Sequence, residues 1–341
     1  TNASVSPFIG EFDEGLVGDA ASTDAEVLFE LTHDVLAAPR IDPAAVTQLR
    51  GQLGPLDDDR AALPQFAVVD AMVEARFAGD PAYLQLPPAA WLDGLDPDRA
   101  LALFRDRFDD PEDWIVVLSG DIDVDRAVEL GIRWLGSIPA GQGTETAVDR
   151  QPDAPAEVAT RTVRSGEDDQ GSLLVLYDED APQTLRSELT DDLISQIVQL
   201  RLIDVLREEL AATYSPVVLV DRRQDPEPGT TVVFSASGDP GGLDELSAAL
   251  QDVLTGLRSD GPTDDELAIG IEQVRRSLEV TSNGDVLEAL LFYARSDDRE
   301  IAELATAVDM VVGIGTADVR DRLDDVLPAD RYVEVRQVPA D

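Results

Sequence analysis

Beyond residue 158 the apolar positions follow two periods, and the switches between them mark out the elements. Ala159 to Val163 and Ser172 to Tyr177 alternate or run apolar around the turn residues Gly166 to Gly171, which predicts two strands joined as a hairpin. From Ser187 to Leu210 the period lengthens. Leu189, Leu193, Ile197, Leu200, Ile203 and Leu210 recur at helical spacing and predict one long helix. Tyr214 to Asp221 and Thr230 to Ser237 are rich in β-branched residues and flank the turn Asp225-Pro-Glu-Pro-Gly229, a second hairpin. Helices are then predicted over 242–257, 263–280, 285–294, 299–311 and 316–325, followed by a last strand over 331–337. Thr263 caps the second of these, with Glu266 three residues on. Hairpins mixed with long helices make the fold class α+β, with mainly antiparallel sheets.

The same patterns recur at long range. The stretch Ala25 to Leu36 (AEVLFELTHDVL) matches Leu243 to Leu254 (LDELSAALQDVL), which places His33 opposite Gln251, 218 positions on. The helix-then-strand unit Arg105 to Gly120 matches Arg320 to Pro339, and Trp114 falls opposite Tyr332 at the same offset. Two matches in one register predict duplicated domains. The segment Pro139 to Pro155 is polar, without period, and reads as the linker. The expected division is a first domain over 1–140, a linker over 141–155 and a second domain over 156–341. Stepping the second domain's opening strand pair back by one repeat falls before Thr1. The first domain is therefore expected to lack its opening strands, roughly 60 residues on this arithmetic, and to carry an open sheet edge.

Composition narrows the function classes. Seventy acidic residues stand against 26 basic ones, a formal net charge of -44, and there is no lysine. Such a field repels nucleic acid and anionic lipid. It fits a solvated, salt-adapted surface or a cavity that attracts basic peptides. No apolar run approaches the roughly 20 residues of a membrane span, so a soluble chain is expected. The absence of cysteine excludes disulfides, thiolate metal sites and cysteine nucleophiles. The compartment stays open, with export (periplasmic or extracellular) preferred to the cytoplasm.

Candidate chemistry is sparse. A hydrolytic metal site needs several ligands converging on one ion, and His33 is the only histidine. Glu30 could share its helix face, but two ligands do not hold catalytic zinc. No Gly-x-Ser-x-Gly elbow is present, and the Gly313-Ile-Gly315 pair lacks the spacing of a dinucleotide loop. Acidic pairs such as Asp168-Asp169 and Asp297-Asp298 read as solvated loops. Arg207 breaks the pattern by falling in the apolar stripe of the long helix, where a guanidinium is costly unless paired or aimed into a cavity. Tyr214 follows at the helix-to-strand junction. The two can face one cleft and offer donors to a peptide carbonyl; equally, Arg207 can pair with Glu208 or Asp204 while Tyr214 joins the core.

Residues 206–215 (LREELAATYS) resemble the L-R-E-x-L-G-x-x-Y-S segment of pitrilysin/insulinase-type zinc metallopeptidases, the inverted zincins, with Ala211 in place of the usual glycine. Residues 117–123 (VLSGDID) and 134–139 (WLGSIP) are similar to that family's strand-and-helix signature. Residues 14–18 (EGLVG) and 38–40 (APR) fit the third domain of its bacterial members. The resemblance implies the carboxy-terminal, zinc-free half of a two-half clam-shell, its first domain being the third type and its second the fourth. It also implies that Arg207 and Tyr214 hold the substrate backbone and stabilise the oxyanion. No H-x-x-E-H motif occurs, so the isolated chain is expected to be inactive, to bind no cofactor or metal itself, and to rely on zinc in an amino-terminal half or partner subunit. Peptides are the implied substrates. The alternatives are a non-catalytic scaffold, a peptide-recognition subunit of the same family, or an acidic module that captures basic segments.

Overall fold

A computed structural model of the chain describes residues 2–10, 13–58, 63–80, 83–84, 89–139, 141, 153–166, 169–208, 216–223, 227–279, 282–295 and 300–340. In chain order the elements are β1 (Ser4–Ile9), β2 (Glu14–Asp19), α1 (Ala25–Ala37), α2 (Pro43–Asp58), α3 (Pro64–Arg76), α4 (Ala89–Asp93), α5 (Pro97–Arg107) and α6 (Val124–Trp134). The chain continues with β3 (Ala159–Arg164), β4 (Gly171–Glu179), α7 (Leu185–Glu208), β5 (Val217–Arg223), β6 (Gly229–Gly238), α8 (Leu243–Asp260) and α9 (Asp264–Glu279). It closes with α10 (Asn283–Arg295), α11 (Ala307–Val312), α12 (Thr316–Val326) and β7 (Val333–Val338). The class is α+β, as the periods predict.

Two compact units emerge. One comprises Thr1–Asp57, Pro88–Val148 and Ser282–Asp297; the other comprises Asp58–Pro87, Asp149–Thr281 and Asp298–Asp341. The element order repeats: α1 and α8, α3 and α10, and α5 and α12 begin 218, 219 and 219 positions apart. Packing units nevertheless differ from segments cut at one linker. α3 belongs to the second unit although its chain neighbours belong to the first, and α10 belongs to the first. Most of the expected linker, residues 142–152, lies outside the described residues.

The second unit is built on a five-stranded sheet in the order β3-β7-β4-β6-β5. On β4 the pleat sends Leu173, Val175 and Tyr177 into a core shared with α7, α8 and α12, while Leu176 faces α3 with Val333 and Val335 of β7. The residues that turn toward α3 are Val68 and Met72. Arg76, in the last turn of α3, is buried and donates from Nε to Asp178 on β4 and from Nη1 to the Asp153 carbonyl at 3.1 Å. Asp178 also accepts from Thr231 Oγ1 at 2.6 Å.

Two expectations need correction here. β3 and β4 are both strands, but they do not pair as a hairpin: β7 lies between them, parallel to β3 and antiparallel to β4. Residues 165–170 are long enough to span the roughly 10 Å between alternate strands. The inserted strand buries Val333 and Val335 on one face, and on the other its Glu334 accepts from Ser247 Oγ at 2.7 Å. The strand expected after Arg105 is likewise not formed, since among the described residues 114–119 join no ladder. The second predicted hairpin holds, with β5 and β6 paired antiparallel from Val217↔Ser235 to Arg223↔Gly229. The predicted helix over 299–311 divides into a 3-10 turn at Ile301–Thr306 and α11.

The first unit is thinner. β1 and β2 form an antiparallel hairpin, from Ser4↔Asp19 to Ile9↔Glu14, against which α1 packs. Glu26 of α1 receives Arg126 and Arg133 of α6, each at 2.7 Å, and Asp13 receives Arg295 of α10 at 2.6 Å.

Candidate functional site

The segment that carries the candidate residues joins α7 to β5. α7 is fixed by its apolar face: Leu193, Ile194, Ile197, Val198, Leu202 and Leu206 are all buried in the main core. The buried stripe thus drifts from Leu193 to Leu206 at four-residue steps, and Leu200 and Ile203, expected within it, are only half-buried. Arg207 lies in the last turn of α7, one residue from the helix end. Its side chain, and the whole of Tyr214, fall outside the described residues. The structure therefore places the backbone of one candidate and neither side chain. Past the junction, Pro216 is buried and β5 begins, an edge strand whose Val218 enters the core while Val217 and Leu219 stay exposed.

Beside the head of β5 opens a cleft of about 640 Å3, lined by Asp169, Gln170, Val217, Ser235, Ser237 and Asp239 among others. Asp239 also accepts from the Gly241 amide at 2.9 Å, so its carboxylate is held by the following turn. Periodicity alone could not find this cleft, because its walls come from three separate segments of the chain.

Around α7 the charges are mutually satisfied. Arg322 of α12 donates from Nε to Asp191 at 2.7 Å and from Nη1 to Glu179 at 2.6 Å. Burial holds the Asp191 carboxyl above its ordinary range, with Arg322 opposing that shift. Arg222 of β5 donates to Asp192 and to the Glu188 carbonyl at 2.6 and 2.8 Å. These arginines tie the sheet to the helices and were not visible in the sequence, since their partners lie 30 to 143 positions away.

His33 sits on α1 in the first unit, 3.4 Å from Asp34 and with its ring 5.7 Å from that of Trp134. Among the described residues no three His, Asp or Glu side chains are placed to share a metal ion. With a single histidine and no cysteine, the donor set does not fit catalytic zinc.

Residues 98–274 match the family model described as the peptidase M16 inactive domain, just over half of the chain. The chain belongs to the M16 peptidase family. Solved M16-related structures share the fold at low identity. The periplasmic protease PqqL from Escherichia coli matches over 99% of this chain and 37% of its own, at 18% identity and a TM-score of 0.82. The peptidase M16 inactive domain from Pseudomonas fluorescens matches over 99% of this chain and 82% of its own, at 16% identity and a TM-score of 0.80. A protease from Helicobacter pylori matches over 99% and 83%, at 13% identity and a TM-score of 0.82. This chain thus spans well under half the length of PqqL. No curated protein matches it. No helix among the described residues is long and apolar enough to cross a membrane.

Proposed function

We propose that this chain is the zinc-free half of an M16 metallopeptidase, which forms one wall of a substrate chamber and positions the peptide with Arg207 and Tyr214. The observation that carries the reading is the match to the family's inactive domain, which reaches across the 206–215 segment that resembles the family's arginine-tyrosine motif. The location supports it too. Arg207 ends a helix anchored by a wholly apolar face, and Tyr214 precedes by three residues Val217, a residue of the cleft. A rigid helix end is a good mount for a group that must meet a substrate carbonyl without reorganising.

In this role the guanidinium and the phenol donate to the peptide backbone and to the oxygen that becomes negative as the carbonyl is attacked. The attacking water is activated by zinc, which belongs to an amino-terminal half or partner subunit bearing H-x-x-E-H. Export is the compartment favoured, in line with the periplasmic protease among the matched structures.

The test joins this chain to a motif-bearing M16 half and follows cleavage of a fluorogenic peptide. The isolated chain should not cleave. Arg207→Ala and Tyr214→Phe in the joined enzyme should each lower kcat/KM on the order of 100-fold, with the zinc content unchanged. Full activity in the double variant would sink the assignment. An assembly that binds peptides without cutting them would instead favour a recognition or scaffold subunit.

A further inference from the structure

The two units repeat one element order, yet equivalent elements are buried to very different extents. α8 buries eight side chains, from Leu243 to Leu257, beneath α7 and β4; α1, its counterpart at an offset of 218, buries only Phe29. The last strand shows the same contrast. Val333 of β7 is fully covered at 0% exposure, whereas Ile115, at the same offset, is 45% exposed, and its neighbours Val116 and Leu118 are 56% and 41% exposed. A polar pair repeats the message. Gln251 on α8 donates to the Tyr177 hydroxyl on β4 at 2.9 Å, while its counterpart His33 has no equivalent strand in the first unit to bond.

What the second unit has and the first lacks is the segment from β3 through β4 to α7, residues 159–208, which precedes β5 as its equivalent would precede β1. That segment supplies the two strands flanking β7 and the helix at the centre of the core. The Pseudomonas inactive domain and the Helicobacter protease leave 18% and 17% of their own chains unmatched, ample length for such a segment.

We propose that the first unit contains an acceptor site for a strand-strand-helix segment of the same build as residues 159–208, delivered by polypeptide that runs directly into β1. Its two strands flank residues 114–119 and pair with β2, converting that unpaired stretch into a central strand. Its helix lays an apolar face on Leu28, Val35 and Leu36 of α1, all half-buried at present. The segment enters in cis because α7 and β5 are separated by only eight residues, so the equivalent helix must end close to Ser4. Burial of this surface is the same apolar driving force that closes the second unit. The site lies away from Arg207 and Tyr214 in sequence and unit, and does not depend on their role.

The experiment compares the present chain with the same chain extended by the roughly 60 residues that its gene encodes immediately before Thr1. Amide hydrogen exchange over 25–37 and 114–119 should slow at least 10-fold in the extended chain, and binding of an apolar dye should fall. Exchange over 171–179 and 333–338, already within a complete sheet, should not change. A gene without such a strand-strand-helix pattern before Thr1, or an extension that leaves the 25–37 and 114–119 amides as fast as before, would overturn the proposal. Adding the extension as a separate peptide distinguishes the source: protection at equimolar peptide equal to that of the fused segment would overturn delivery in cis.

Discussion

Glu266 shows how much one side chain can do at a helix start. It accepts from the Thr263 amide at 2.7 Å while Thr263 Oγ1 accepts from the Glu266 amide at 3.2 Å, the reciprocal cap that the sequence predicts. It also receives Arg201 of α7 at 2.6 and 2.8 Å. These hydrogen bonds, Arg201 first and then Thr263, hold its carboxyl down at about 2 from 4.5. A depressed carboxylate stabilises the fold above its unfolded value and loses that contribution as pH falls from 4.5 toward 2. Glu266→Gln should therefore cost about 1 kcal/mol near neutrality, allowing for solvent screening, and almost nothing near pH 2. Denaturant titrations of both proteins across that range check it; a cost independent of pH would count against the ion pair. The cap was legible because its two residues are three apart. The Arg201 contact was not, because it joins residues 65 positions apart.

At the scale of elements the same division holds. The β5–β6 hairpin was legible from its turn residues, and the helix bounds of α8, α9 and α12 fall within a few residues of the hydrophobic periods. The insertion of β7 between β3 and β4 was not, since a strand's alternation says which face it buries and nothing about its neighbours. α3 makes the point again: it lies among first-unit elements in sequence but covers the second unit's sheet. Met72 on α3 packs with Val333 and Val335. Met72→Ala should cost about 2 kcal/mol and speed amide exchange on β7, while β1 and β2 exchange as before. Loss of protection in β1 and β2 alone would place α3 with the wrong sheet. For the candidate site, sequence located Arg207 on its helix, and what surrounds the pair depends on contacts that no local pattern encodes.

Over the whole molecule, 70 carboxylates against 26 arginines repel one another, and the ion pairs that the structure provides leave most of that charge facing solvent. Added salt shortens the reach of this repulsion from about 10 Å at 0.1 M to about 3 Å at 1 M. Raising KCl over that range should raise Tm by several degrees, most of it within the first few hundred millimolar, as screening saturates. A Tm that is flat or falls would remove self-repulsion as a significant term. The sheet order of the second unit also sets when folding can finish. Its penultimate neighbour from the edge is the strand ending at Val338, three residues before the terminal Asp341. During synthesis β3 and β4 leave the ribosome some 150 residues ahead of the strand that must slide between them. Until then the gap they flank stays unfilled, so the nascent second unit is an obvious client for a chaperone that shields apolar strands.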